Sequence, residues 1–446
     1  MSLSELTAPR MPGSVRARDS TTALGLWLPF AIAAVWWAIC FTLYVVAWPI
    51  AYTHRNMLGV SALMTATLAC AIAGYHLGIG DKRLAPVPAS WKIPVTVLIG
   101  LVASLALAVP LGQTYSGFGP FDLGNALTDQ STAFSQASQR ISEGFSARSG
   151  IVVLQTALAP FTLGVIPFLA LSWFEARKHG VMLLLAIAAP LYLDLLVGRS
   201  AQIGISGILV VGAWVLSRIR RRMKLRRLDA MVLILIGLAL VAAFAAQRFA
   251  RFAGAPICPP GSDICTGANP SFIEAAWITF ASYASQGLEG LGRSLAAVWT
   301  FGGGFSHSPA IESMLARTFD FQPAPVVTSQ QTGLGWSDTS YWSTALASIA
   351  NDVPWLLVPL VIGAQAVILG SVWRSAVEGA DWLSVTIFCY TWLGLLFVPQ
   401  NLQLAISGPT YVGYIALLVL YLARKLTLRP WVCLLYTSDA ADDLTR

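Results

Sequence analysis

The sequence predicts an all-α, polytopic integral membrane protein. It is 56% hydrophobic and only 11% charged, whereas a soluble domain carries about 25% charged residues. Several runs of roughly 20 residues nearly lack charge, and this is the length of a helix that crosses a hydrocarbon core of about 30 Å. These two observations exclude a soluble fold, because no soluble chain of this length could bury so much apolar surface.

The apolar runs indicate about ten transmembrane helices. The first run is too long for the apolar region of a signal peptide and lacks a convincing small-residue cleavage site, so we interpret it as a membrane span. The predicted spans are residues 24–47, 58–79, 93–111, 150–173, 181–197, 201–217, 230–247, 354–373, 382–398 and 409–424.

Basic residues assign an orientation to these spans. If the N-terminus is cytoplasmic, the inner connections carry most of the arginines and lysines, including the run "RIRRRMKLRR" at 218–227, while short outer loops carry only Arg55 and Arg199. This alternation is the positive-inside pattern, and it places both termini in the cytoplasm. The net charge of +7 is therefore a topology signal, and no nucleic-acid partner is expected.

The spans divide the chain into regions. Residues 1–22 form a cytoplasmic N-terminal tail, 23–247 hold spans one to seven with an outer loop at 112–149, 248–353 form a large periplasmic loop, and 354–425 hold spans eight to ten. Residues 433–446 change composition abruptly and resemble a translated sequencing-adapter tail, so we treat them as non-native.

The large loop contains two local structural signals. Apolar residues at helical spacing in 271–301 predict one or two amphipathic helices that lie at the outer interface. Cys258 and Cys265 bracket "PPGSDI" in the same loop. Because an outer compartment is oxidising, they predict a structural disulfide.

Arg199, in "LLVGRSAQIGISG", stands in a short outer turn where the orientation bias disfavours arginine. A guanidinium pairs bidentately with phosphate oxygens. Arg199 therefore either binds a lipid pyrophosphate or contacts headgroup phosphates nonspecifically. Arg251 leaves span seven on the same side and either extends this pocket or anchors the helix end. Asp194 lies five residues before Arg199, which is off the same helical face.

Gln286, Glu289 and Arg293 follow one another at helical steps of three and four, so they share a face. The face is either solvated and holds a Glu–Arg pair, or it binds sugar hydroxyls.

His307, in "GGGFSHS", is a candidate general base because its usual pKa is near neutrality. Asp338 and Asp352 are further acid/base or sugar-binding candidates. Asn351 or Asp352 before Pro354 also fits a helix N-cap.

The sequence has no Walker A, Rossmann, metal-ligand or nucleotide-sugar pattern. We therefore expect no cofactor and no metal.

Several stretches resemble the bacterial O-antigen and exopolysaccharide repeat-unit polymerases (Wzy-type), whose plan the O-antigen ligases share. The resemblance covers roughly residues 190–425 and rests on "GRSAQIGISGILVVG", "YASQGLEGL", "GGGFSHSP", "GWSDTSYWSTALASIANDVPWLLVPLVIG" and "PQNLQ". It implies an inner-membrane glycosyltransferase that transfers a glycan from undecaprenyl pyrophosphate to another lipid-linked repeat. Membrane lipids and a chain-length regulator protein are the implied partners.

The resemblance also implies roles for particular residues. Arg199 and Arg251 hold the pyrophosphate, with Arg293 as a third ligand, while His307 or Glu289 is the base. Independently of the resemblance, the residue types of Gln286 and Asp338 make them candidates to contact sugar. Two other functions stay open from the sequence: a glycolipid or solute transporter, which would need charges at the membrane midplane, and a non-catalytic scaffold.

Overall fold

The structure of the chain is a computed structural model. It describes residues 23–47, 50, 52–80, 92–119, 124, 130–142, 149–199, 201–221, 231, 235, 238, 242, 246, 271–319, 325–336, 342–379 and 381–427. Across these residues the chain forms helices and the turns between them, which confirms the all-α prediction.

The helices follow the apolar runs closely. In chain order they are α1 (Ala23–Val46), α2 (Met57–Gly80), α3 (Val95–Ser116), α4 (Gln130–Ser142), α5 (Gly150–Thr162), α6 (Val165–Ala176), α7 (Gly180–Leu196), α8 (Ala201–Arg220), α9 (Phe272–Ser294), α10 (Pro309–Phe319), α11 (Val327–Gln330), α12 (Ala345–Ala350), α13 (Val358–Gly379), α14 (Trp382–Leu396), α15 (Gln403–Ile406) and α16 (Gly408–Thr427). Two 3-10 turns, Gln331–Leu334 and Trp355–Leu357, precede α12 and α13.

Six segments within the described residues are long and apolar enough to cross a membrane. They are Gly25–Val46, Met57–Gly80, Val95–Ser116, Gly150–Ala176, Ala201–Arg220 and Trp355–Gly379. The predicted spans at α7 and α14 are apolar but have only 17 and 15 residues. Helix α16 is less apolar, because it contains tyrosines and carries Arg424 and Lys425 in its last turn. The predicted span 230–247 lies largely outside the described residues, so six of the ten spans are supported.

Small residues bring α2 and α13 into close contact. A Cβ on Gly74 would lie 2.1 Å from the carbonyl oxygen of Gly363, and one on Gly78 would lie 2.2 Å from that of Val367. Glycine at these positions lets the two backbones touch, which is how membrane helices commonly associate.

Charged residues gather at one end of the helices. Arg220 forms an ion pair with Glu175 at 2.8 Å, and its guanidinium also donates to the carbonyl oxygens of Ala376 and Val377. At the same level Arg374 donates to the carbonyl oxygen of Ile79, and Arg424 pairs with Asp381 at 2.9 Å. We call this the basic end.

Helix α9 differs from its prediction as an interfacial helix. It begins with a capping box between Ser271 and Glu274, but from Ile278 onward most of its side chains are buried. A Cβ on Gly287 would lie 2.4 Å from the carbonyl oxygen of Pro399, and one on Gly292 would lie 2.1 Å from that of Arg55. The helix is therefore packed between the α1–α2 connection and the turn after α14.

Candidate active site

The candidate site is built around His307, at the end of the glycine-rich loop. Its Nδ1 lies 2.7 Å from Oδ2 of Asp352, and its backbone nitrogen donates to the same oxygen at 2.7 Å. The other oxygen of Asp352 accepts from the backbone nitrogen of Gly304 at 2.9 Å. One carboxylate thus fixes both the loop and the imidazole ring.

Tyr411, in the first turn of α16, completes a chain of three side chains. Its hydroxyl lies 2.6 Å from Nε2 of His307, and the two rings meet edge to face at 70°. With Asp352 ionised, Nδ1 carries the ring proton and donates to the carboxylate. Nε2 is then the acceptor, and the Tyr411 hydroxyl donates to it.

Asn351 holds the glycine-rich loop from the other side. Its Nδ2 donates to the carbonyl oxygen of Ser306 at 2.9 Å, and its carbonyl oxygen accepts from the backbone nitrogen of Gly302 at 2.8 Å. Its Oδ1 accepts from the backbone nitrogen of Thr328. The helix N-cap predicted at Asn351 or Asp352 is therefore wrong, because both side chains bind loop backbone from other parts of the chain.

The arrangement suits proton transfer. The Asp352 side chain is only 6% exposed, while that of His307 is 22% exposed. A buried carboxylate that orients a partly open imidazole is the pattern of a positioned general base. The hydroxyl of Tyr411 can pass a proton to Nε2 and receive one in return.

The chain matches no protein-family model, no curated protein and no solved structure.

Glu289 and Arg293 lie away from His307, in a buried ion pair. The carboxylate of Glu289 is 3.1 Å from Nη2 of Arg293 and also accepts from the backbone nitrogen of His54 and the hydroxyl of Thr53. Arg293 donates further to the carbonyl oxygen of Leu334 at 2.6 Å. The predicted Glu–Arg pair is present, but it is buried rather than solvated, and it ties α9 to the α1–α2 connection. Sugar binding by this face stays a prediction.

The remaining arginine candidate, Arg199, lies in the turn between α7 and α8. Asp194 stands beside it, because the turn folds back: the backbone nitrogen of Arg199 donates to the carbonyl oxygen of Asp194 at 2.8 Å, while the Asp194 carboxylate accepts from the backbone nitrogen of Gln202. Burial lowers the pKa of Arg199, and the neighbouring carboxylate of Asp194 opposes that change. The structure therefore places Arg199, Arg293 and His307 in different sets of contacts.

The other predicted site residues have mixed outcomes. Gln286 is buried, and its Oε1 has no hydrogen-bond partner among the described residues. Arg251, Asp338, Cys258 and Cys265 lie outside the described residues.

Sequence reasoning missed Tyr411 altogether. Its only sequence signal is a phenol at the start of an apolar helix, which by default indicates interfacial anchoring.

Proposed function

We propose that this chain is a membrane glycosyltransferase that joins lipid-linked oligosaccharide repeat units, by polymerase or ligase chemistry, on the periplasmic side of the inner membrane. The observation that carries the proposal is the hydrogen-bonded chain Asp352–His307–Tyr411. It is a ready acceptor for the proton of a sugar hydroxyl, which glycosyl transfer must remove.

The reaction assigns a step to each group. The acceptor hydroxyl gives its proton to the Tyr411 oxygen while Tyr411 gives its own to Nε2 of His307, and Asp352 stabilises the resulting imidazolium. The acceptor oxygen bonds to the anomeric carbon of the donor as the bond to pyrophosphate breaks. The electron pair leaves with the pyrophosphate, whose charge requires a cation.

We assign that last task to Arg199, the arginine that the sequence also singles out. It lies in the turn between α7 and α8. Arg220, at the other end of α8, belongs to the basic end, so Arg199 and the basic end are separated by the length of that helix. Its guanidinium can pair with two phosphate oxygens at once. Arg293 is a weaker choice than the sequence suggested, because Glu289 and the Leu334 carbonyl already engage it.

Two features support the proposed periplasmic location of the site and the proposed lipid-linked substrate. The basic residues Arg220, Arg374 and Arg424 lie at the opposite end of the helices from the loop of His307, and basic ends usually face the cytoplasm. Leu356, four residues after Asp352, is 90% exposed, as expected for a surface that meets lipid. A lipid-anchored substrate could then approach His307 sideways from the bilayer.

The test is a turnover assay in proteoliposomes that contain an undecaprenyl-pyrophosphate-linked oligosaccharide. We expect the wild-type protein to form longer lipid-linked or transferred glycans, and His307→Ala to slow this about 10²- to 10⁴-fold, the usual contribution of general acid–base catalysis. The matched control is His76→Gln, an exposed histidine on α2. Full activity of His307→Ala would refute the assigned role. Movement of substrate across the membrane without any new glycan would instead favour a transporter.

A further inference from the structure

A polar pocket lies at the end of α3, where α4 crosses it. Its volume is about 310 Å³, and it is lined by Ser116, Gly117, Gln136, Gln139 and Arg140. The pocket is open to solvent on the side where Gln136 and Gln139 are exposed, and Arg140 is partly buried. None of these residues belongs to the group around His307.

Gly117 sets the position of the arginine. It ends α3 in a left-handed conformation, with φ of 77°, and its nitrogen donates to the carbonyl oxygen of Gln113. A Cβ at Gly117 would lie 2.5 Å from Nη2 and 2.6 Å from Cζ of Arg140. The guanidinium therefore rests directly against the glycine backbone, in space that any other residue would fill.

The lining has a defined chemical preference. A guanidinium forms two parallel hydrogen bonds with a carboxylate or phosphate group. Each glutamine carboxamide offers two donors and one acceptor oxygen, which suits neighbouring hydroxyls. A ligand that carries both an anionic group and several hydroxyls matches this lining.

Helix α4 also links the pocket to Arg199. A Cβ on Gly198 would lie 2.8 Å from the carbonyl oxygen of Gln130, so the first turn of α4 covers the turn that holds Arg199. Arg140 is ten residues further along the same helix, which corresponds to about 15 Å at 1.5 Å per residue. A glycan whose pyrophosphate is at Arg199 could place a later sugar over the pocket.

We propose that this pocket binds an acidic sugar, with its carboxylate on Arg140 and its hydroxyls on Gln136 and Gln139. The assignment of the natural ligand as part of a lipid-linked glycan rests on the proposed function. Binding at the pocket is independent of turnover and can be measured separately.

The experiment titrates the detergent-solubilised full chain with glucuronate, glucose and inorganic phosphate by calorimetry. We expect glucuronate to bind about tenfold or more tightly than glucose, because the charge-assisted pair adds to the hydroxyl contacts. Phosphate, which lacks the sugar hydroxyls, should bind more weakly than glucuronate. Arg140→Gln should reduce glucuronate binding to the level of glucose, while Arg221→Gln, at the basic end, should leave it unchanged.

A second variant, Gly117→Ala, keeps the positive charge of Arg140 but changes its position. Gly117→Ala should displace the guanidinium and weaken glucuronate binding, with Arg140→Gln adding little further loss. Equal binding of glucuronate and glucose, or unchanged binding in Arg140→Gln, would overturn the proposal. Phosphate binding as tight as that of glucuronate would also overturn it, since the pocket would then take any anion. If glucuronate binds as expected but the wild-type protein forms no glycan, the proposed function fails and the pocket assignment stands.

Discussion

Oδ2 of Asp352 lies 2.7 Å from both the backbone nitrogen and Nδ1 of His307. The carboxylate therefore determines where the histidine sits and which ring nitrogen carries the proton. Its other oxygen holds Gly304, so the glycine-rich loop closes on a single acidic group.

Replacing Asp352 by asparagine should remove the charge that stabilises the imidazolium and orients the ring. We expect the turnover rate to fall about 10²- to 10⁴-fold, the range found for general acid–base catalysis. The measurement is kcat/KM across a pH series. Asp381→Asn is the control, because Asp381 caps α14 at the basic end and pairs with Arg424. A normal rate in Asp352→Asn would contradict the proposed role.

Tyr411→Phe should remove the hydroxyl that lies 2.6 Å from Nε2 of His307. We expect a loss of about tenfold or more in kcat, because a water molecule must replace the phenol as proton carrier. Tyr414→Phe is the matched control, three residues further along α16. It loses a hydrogen bond of 2.9 Å with Thr391, which should cost about 1 kcal/mol of stability and no activity. Equal turnover in both variants would assign Tyr411 a packing role only.

Glu289→Gln should leave the Arg293 guanidinium buried without its carboxylate. We expect a loss of about 3–5 kcal/mol in the free energy of unfolding, as is usual when one partner of a buried ion pair is removed. Chemical denaturation in detergent would measure it, and the double variant Glu289→Gln/Arg293→Met should recover part of the loss. Activity per folded molecule should stay near wild type. If it drops to the level of His307→Ala, Glu289 is the base instead.

Gly74→Ala should separate α2 from α13. The added Cβ would lie 2.1 Å from the carbonyl oxygen of Gly363, and backbone cannot rotate away as a side chain can. We expect a loss of about 1–3 kcal/mol, typical of overpacking, and a lower thermal midpoint. Gly80→Ala, in the last position of the same helix, should have little effect, because among the described residues outside that helix no heavy atom lies within 4 Å of its Cβ. Similar thermal midpoints for the two variants would show that α2 and α13 can move apart at this contact with little loss of stability.

The sequence predicts the helices well because an apolar run of membrane length has few alternative structures. It misplaces α9 because polar residues at helical spacing look the same whether they face water or a buried partner. Glu289 and Arg293 are four residues apart and neutralise each other inside the protein, and neither hydropathy nor periodicity reveals this.

The site is only partly predictable for a related reason. His307 is prominent in the sequence as a histidine beside three glycines. Its partners are 45 and 104 residues away along the chain, and nothing local marks Asp352 or Tyr411 as belonging with it. Long-range contacts of this kind depend on how the helices assemble.

The location of Tyr411 on α16 has a consequence for biosynthesis. His307 and Asp352 leave the ribosome well before the segment that supplies the third member of the group. A nascent chain therefore cannot form the complete proton-transfer group until α16 has been translated and has packed against the earlier helices. Any catalysis that depends on all three side chains begins only after that late step of assembly.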